Sequence, residues 1–336
     1  MKGFPYIAFT ICSNNYLGQA LALKQSFLKH NPNFGFYIIL VDQFSDKADY
    51  SAFEPSTIIT IADIDGVDLK DLISRYYIIA LNTCIKPSVF KYLINKHPRV
   101  EAIYYLDPDL YFFDSISGLN DKLKTKTAVL TPHILTPIPR DGKLPDENIF
   151  MKYGIYNLGF LGLNAKSKET KTMLDWWEER TLKFGYDKVN EGYFVDQLWM
   201  IYAPIFYKDI EVLTTYNYNM APWNLHERRI ISIDNGNILL NDQSQLVFYH
   251  FSKLAENDTD ISRDFNRFNL DDFPLLKMLY NQYKDVLMTC RYNDYKDIPN
   301  AYPVSMRLNE DSKKTSMLQK GMKKLGHYIL KLARKV

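Results

Sequence analysis

Cysteine is scarce in this 336-residue chain: three residues, at positions 12, 84 and 290. An odd number so widely spaced excludes a disulfide framework and a cysteine zinc site, and favours a reducing compartment. No run of about 20 apolar residues occurs, which argues against a membrane-spanning helix. After Lys2 the first apolar stretch is short and gives way at Ser13-Asn14-Asn15, unlike a secretory signal. No Gly-x-Gly-x-x-Gly follows that stretch and no Gly-Lys-Ser/Thr loop is present, so the dinucleotide fingerprint and the P-loop lose their main support. Internal repeats and low-complexity tracts are also missing. Net charge is only +2, and it is uneven. Residues 305–336 carry nine Lys or Arg against two acids, a local +7, which leaves the first 304 residues near −5. An acidic body argues against nucleic-acid binding.

What is present reads as an α/β chain. Residues 6–12 form an apolar strand pattern, 17–29 an amphipathic helix and 36–41 a second strand, the rhythm of a parallel nucleotide-binding type of sheet. A third strand is expected over 57–61, helices over 69–82 and 89–96, and short strands over 128–130, 212–214 and 246–251. The stretch 155–164 reads as a glycine-containing strand, 167–184 as a helix, and 194–202 as a short helix. A Pro-rich loop over 131–145 is long enough to be either mobile or functional.

The chain is organised around 100–115, VEAIYYLDPDLYFFDS. A buried-strand pattern ends in Asp107-Pro108-Asp109 and a second apolar run follows. Two carboxylates one residue apart repel unless a positive charge lies between them. In open α/β sheets, ligands bind beyond the carboxyl ends of the strands. The pair is therefore either a divalent-metal clamp for a diphosphate or a solvated Asp-Pro turn. His250, among the apolar residues of 247–251, is either a third ligand or a core histidine bonded to a carbonyl. Lys86, before Pro87, either adds positive charge to phosphates or is a surface lysine. Asp196-Gln197 either line a sugar and its reaction centre or cap a helix. Asn157 lies inside an apolar strand and needs partners. The set Trp223, Asn224, His226 and Arg228 mixes a flat ring with hydrogen-bonding groups, which suits a sugar or a loop anchored by one tryptophan. His133 opens the Pro-rich loop and joins this group as a candidate for the acceptor side.

In order over about 250 residues, these motifs resemble GT-A-type glycosyltransferases, above all the family-eight, galactosyltransferase-like enzymes that use UDP-sugars. The resembling parts are Thr10 to Tyr16 for the uridine-binding turn, Asp107-Pro108-Asp109 for the DxD, and Asn157-Leu158-Gly159 for the sugar side. Asp196-Gln197 and Tyr249-His250-Phe251 complete the set. The resemblance implies a GT-A-type Rossmann-like sheet, mixed and mainly parallel, flanked by helices over 1–304. It implies Mn²⁺ (or Mg²⁺) on Asp107, Asp109 and His250, and a UDP-sugar donor contacted by Thr10, Asn14, Tyr16, Asn157 and Gly159, to which Lys86 is added by its charge. Asp196 and Gln197 would then be catalytic. The family's glycine and Lys-Pro-Trp after the histidine are replaced by Ser252-Lys253-Leu254, so Lys253 stands in for the phosphate-contacting lysine. The WNL-H-E-R and YHFS segments also resemble a bacterial group associated with surface-polysaccharide synthesis.

The expected reaction is sugar transfer to a glycan or lipid-linked glycan acceptor, with retention. Inversion, with Asp146, Glu147 or Asp196 as base, stays open. A sugar-nucleotide nucleotidyltransferase and a non-catalytic carbohydrate- or membrane-binding module are the alternatives. The tail, 305–336, places Met317, Leu318, Met322, Leu325, Tyr328, Ile329 and Leu332 at helical spacing among basic residues. Such a segment fits the anionic inner face of a cell membrane, or a docked helix. The expected location is cytoplasmic and peripheral on that face.

Overall fold

The first apolar run becomes β1 (Tyr6–Cys12), and its alternation explains the layers: Ile7, Phe9 and Ile11 enter one core, Ala8 and Cys12 the other. A strand buried on both faces reads as a continuous apolar run. The computed structural model describes residues 4–255 and 257–302. The remaining strands are β2 (Phe34–Leu40), β3 (Thr57–Thr60), β4 (Ala102–Leu106), β5 (Leu110–Phe112), β6 (Ala128–Pro132) and β7 (Tyr156–Asn164), then β8 (Asp187–Lys188), β9 (Tyr193–Phe194), β10 (Ile210–Val212), β11 (Ile230–Asp234), β12 (Asn237–Leu240) and β13 (Phe248–His250). Seven of them form one sheet in the order β10-β6-β7-β4-β1-β2-β3, with β7 alone running against its neighbours. The fold is thus mixed α/β with a mainly parallel sheet, as expected.

The helices are α1 (Leu17–His30), α2 (Leu69–Arg75), α3 (Ile78–Cys84), α4 (Lys86–Lys96), α5 (Ser117–Leu123), α6 (Glu147–Tyr153), α7 (Lys168–Phe184), α8 (Ala203–Phe206), α9 (Pro274–Thr289) and α10 (Tyr292–Tyr295). One core packs the sheet under α3, α4 and α7 through Leu81, Phe90 and Trp177. The other packs it under α1 and α9 through Leu21, Phe27, Leu279 and Tyr283. Cys12, Cys84 and Cys290 are free and buried. No helix among the described residues is long and apolar enough to cross a membrane.

Three local expectations are corrected. The helix expected over 69–82 is two helices, because Tyr76 and Tyr77 are extended and Tyr76 turns into the core, its hydroxyl donating to the Leu182 carbonyl at 3.0 Å. The helix expected over 89–96 starts earlier, at Lys86: Pro87 lies in the first turn of α4, where a missing N–H costs nothing. The helix expected over 194–202 fails at Val195, whose φ of 38° no helix accepts in a β-branched residue. β9 precedes it, and a 3₁₀ turn over Leu198–Tyr202 follows. The alternative of Asp196 as a helix cap falls with it.

β4 ends at Leu106, and Asp107-Pro108-Asp109 turns the chain into β5, which pairs antiparallel with β13. In that register His250 lies opposite Leu110, and the Phe251 N–H donates to the Asp109 carbonyl at 2.9 Å. The Asp107 N–H donates to the Gly159 carbonyl of β7 at 2.8 Å. Backbone pairing alone thus brings residues 107, 109, 159 and 250 to one point.

Candidate active site

The side chains of Asp107, Asp109 and His250 converge so that one ligand atom from each lies within 4.8 Å of the others. His250 Nε2 is 3.0 Å from Asp109 Oδ1 and 3.7 Å from Asp107 Oδ2. Burial works against charge on His250, but Asp109 and then Asp107 outweigh it and hold the imidazole above its usual pKa. Burial lifts the Asp107 carboxyl, Lys86 draws it back down, and Asp109 lifts it again. Two half-buried acids this close repel each other unless positive charge lies between them, and two hard oxygens with one nitrogen suit Mn²⁺ or Mg²⁺.

Two further observations fit that group. His250 Nδ1 lies 3.3 Å from the Asn219 Oδ1. With Nδ1 as the donor, the Nε2 lone pair faces the carboxylates, the usual outer-shell device of a metal histidine. Asn219 is itself buried and held by bonds to Thr131 Oγ1 and Asn157 Oδ1. Gly159 leaves room: a Cβ there would stand 2.6 Å from His250 Cε1 and 2.7 Å from Asp107 Oδ2. Replacing Asn219 by alanine is expected to weaken Mn²⁺ binding roughly 10–100-fold, measured by calorimetry, with little change in fold by circular dichroism.

A cleft of about 660 Å³ opens beside this cluster, lined by Lys86, His133, Asn157, Gly159, Asp196, Gln197, Trp223 and Lys253 among others. Lys86 is buried, not solvated. Its Nζ lies 2.6 Å from Asp196 Oδ2, donates to the Leu158 carbonyl at 3.0 Å, and rests 4.0 Å from the centre of the Tyr105 ring. Tyr105 in turn donates to Asp107. Lys86 therefore links Asp196, through Tyr105, to Asp107. Burial still holds the Asp196 carboxyl above the usual range. The Gln197 amide accepts from the Leu158 N–H at 3.0 Å and donates to the Tyr153 carbonyl at 2.8 Å, fixing its orientation at the cleft wall. Since both partners of the Lys86–Asp196 pair are nearly fully buried, Lys86→Met should destabilise the protein by about 3–5 kcal/mol in urea unfolding. Adding Asp196→Asn should recover part of that loss, because no unpaired charge then remains buried.

A second cleft, of about 180 Å³, adjoins the first through Asp109 and Lys253 and is lined by Tyr16, Arg263, Tyr292 and Lys296. Lys253, with φ of 52°, borders both. Arg263 carries no sequence signal of its own. It reaches this cleft because its N–H pairs with the Lys253 carbonyl at 3.0 Å. Thr10 and Asn14 reach neither cleft. Thr10 is wholly buried in β1, and the Asn14 amide binds the Gln43 carbonyl and the Tyr50 hydroxyl, which shapes the turn that presents Tyr16.

His133 lines the larger cleft between Phe150, on which it stacks, and the edge of Trp223. Burial pushes its pKa down to about 3, so it is neutral at ordinary pH. Trp223 also stands edge-on to His250, 5.1 Å between ring centres. Its neighbours behave differently. Asn224 binds the Ala221 N–H and the carbonyls of His133 and Asn219. His226 lies 3.1 Å from the Thr136 carbonyl. Arg228 is buried against Glu227 and the Tyr218 carbonyl. These three do not line the cleft; they hold the loop that does, so only Trp223 and His133 remain of the acceptor group. Two of the three candidate bases are likewise structural. Asp146 caps α6 through the Ile149 N–H, and Glu147 accepts from the Ile138 N–H.

No family model matches the chain. Two Bacillus subtilis (strain 168) proteins do: uncharacterized protein YfnF, 24% identical over 274 residues (81% of this chain, 89% of that protein), and uncharacterized protein YfnD, 23% identical over 306 residues (88% and 91%). Among solved structures, the apo bifunctional glycosyltransferase WbbM matches with a TM-score of 0.50 at 13% identity, over 87% of this chain and 52% of that one. The galactosyltransferase LgtC in complex with donor and acceptor sugar analogues matches at 0.47 and 14%, over 88% and 97%. At such identities the likeness concerns the fold, which is of the GT-A glycosyltransferase type.

Proposed function

We propose that the protein is a metal-dependent glycosyltransferase that moves a sugar from a nucleotide-sugar, a UDP-sugar by its Tyr16-containing turn, to a hydroxyl of a glycan or lipid-linked glycan. The observation that carries this is the meeting of Asp107, Asp109 and His250 at the junction of two clefts of unequal size and character. Mn²⁺ or Mg²⁺ bound there would offset negative charge on a departing diphosphate. On the smaller side, Tyr16 offers a ring for a base and Lys253, Arg263 and Lys296 offer positive charge for phosphates. On the larger side, Asn157, Asp196 and Gln197 surround space for the donor sugar, and His133 and Trp223 for the acceptor.

Retention is the stereochemistry these residues support. Asp196 is neutralised by Lys86, the Gln197 amide is already placed by two backbone bonds, and Asp146 and Glu147 are occupied at the start of α6. No carboxylate among these is left to activate an acceptor from the opposite face. Asp196 and Gln197 would instead support positive charge at the sugar carbon. Residues 305–336 lie outside the described residues, apart from a catalytic body over 1–304. Their +7 charge and apolar spacing support binding at the inner face of a cell membrane, at about 1 kcal/mol per basic residue. A chain ending at 304 would then lose its co-sedimentation with anionic vesicles.

The test of the main reading is a melting-temperature and donor-hydrolysis screen of nucleotides and nucleotide-sugars with and without Mn²⁺. Stabilisation by UDP only in the presence of metal, with slow release of sugar to water, is the expected result. Equal stabilisation without metal would count against it.

A further inference from the structure

The connection from β6 to α6, residues 133–146, covers most of the loop expected to be either mobile or functional, and two buried charged side chains grip its backbone from opposite directions. Glu227 accepts from the Leu135 N–H at 2.8 Å, the Thr136 N–H at 2.6 Å and the Thr136 hydroxyl at 2.9 Å. Arg267 donates to the carbonyls of Pro145 at 3.1 Å, Pro139 at 3.2 Å and Lys143 at 2.9 Å, and to the Asp141 carboxylate at 2.7 Å. Asn266 adds a bond to the Leu144 N–H at 2.8 Å. Inside this double grip lies a small apolar cluster of its own: Ile138, Phe150, Ala221 and Trp223, with Ile134, Ile149 and Phe265 around it. Four of those residues, Ile149, Phe150, Trp223 and Phe265, are also wall of the larger cleft.

We infer that Arg267, acting with Glu227, is a positioning residue for acceptor recognition, a role that rests on the glycosyltransferase reading above. Arg267 is not among the residues that line the cleft, and among the described residues its guanidinium bonds only to 139–145. Its guanidinium reads the curvature of 139–145 through three carbonyls, a geometry that lysine's single ammonium cannot reproduce. Through that loop it sets where α6 and its cluster stand, and so the shape of the wall against which an acceptor sugar is held. The three residues proposed for the metal and those proposed for the nucleotide lie on other elements, and this wall meets them at Trp223, edge-on to His250. The acceptor must be placed within about an ångström of its attack position, and a displacement of that size costs roughly 10²-fold in rate.

The test compares wild type, Arg267→Ala and the milder Arg267→Lys in three measurements. Mn²⁺-dependent UDP affinity and donor hydrolysis should stay within about twofold in both variants, while transfer to a panel of p-nitrophenyl glycosides falls roughly 10²-fold in kcat/KM, chiefly through acceptor KM. Hydrogen exchange over 133–153 should be slow in wild type and fast in both variants. Hydrolysis and transfer falling together in Arg267→Lys would overturn the inference, as would wild-type exchange over 133–153 as fast as in the variants. Failure of wild type to bind Mn²⁺ with UDP or to turn over any nucleotide-sugar would instead overturn the glycosyltransferase reading, and the exchange comparison would still judge the grip.

Discussion

Asp109→Asn should lower Mn²⁺-dependent donor hydrolysis by about 10³-fold, since a metal acting on a leaving group supplies several kcal/mol and each 1.36 kcal/mol is tenfold in rate. The substitution is nearly isosteric, and the Asp109 backbone carbonyl still accepts from Phe251, so β5 and β13 should stay paired. What changes is charge. His250 loses the closer of its two acidic neighbours, and Asp107 loses the like charge that helps lift its pKa. The metal-free variant should therefore melt close to wild type. Wild type should gain about 2.7 kcal/mol of stability at a metal–nucleotide concentration 100 times its dissociation constant, and the variant none. A variant that keeps the metal-induced rise in melting temperature would remove Asp109 from the ligand set.

The second large effect is expected at Gly159, which carries no functional group. An added methyl would overlap His250 Cε1 at 2.6 Å, Asp107 Oδ2 at 2.7 Å and Asn157 Oδ1 at 2.9 Å, all side-chain atoms of the site. Gly159→Ala should thus push the two metal-side residues apart. Overpacking of this kind costs roughly 1–3 kcal/mol, which a chain of this size survives folded. Activity should fall nearly as far as in Asp109→Asn, while the circular dichroism spectrum stays that of wild type. Gly162→Ala is the useful contrast. Its methyl would strike the Tyr104 ring at 2.6 Å and Val129 at 2.7 Å inside the sheet, so it should cost stability without that selective loss of metal binding.

Much of this arrangement was readable from the chain because it follows from short-range patterns. The run before Asp107 is buried throughout, as its apolar content requires, and Tyr6–Cys12 forms the first strand. Residues chosen for their chemistry alone fared less evenly. Asp107, Asp109 and His250 do meet, and Trp223 and His133 do line the cleft. Asn224, His226 and Arg228 share that chemistry, but Asn224 and His226 turn to the His133 and Thr136 carbonyls and Arg228 to Glu227 and the Tyr218 carbonyl. Asn219, Arg267 and the role of Glu227 within its motif carry no sequence signal because their side chains act on partners 31, 122 and 92 positions away, and no spacing rule connects them. Of the two alternatives for Lys86, the surface lysine fails, since its burial depends on Asp196, 110 positions later, closing over it.

The ladder that joins the two acidic positions to the histidine is only three residues long on each side. A side chain's direction alternates along a strand, so sliding one strand by a single place reverses every one of them. Adding one codon within 110–112 or 248–250 would turn the imidazole to the other face of this two-stranded ladder, leaving all three side chains encoded and the cluster unassembled. Homologous chains should therefore tolerate length changes freely in the hairpin turn between β11 and β12, yet show none in these two triplets.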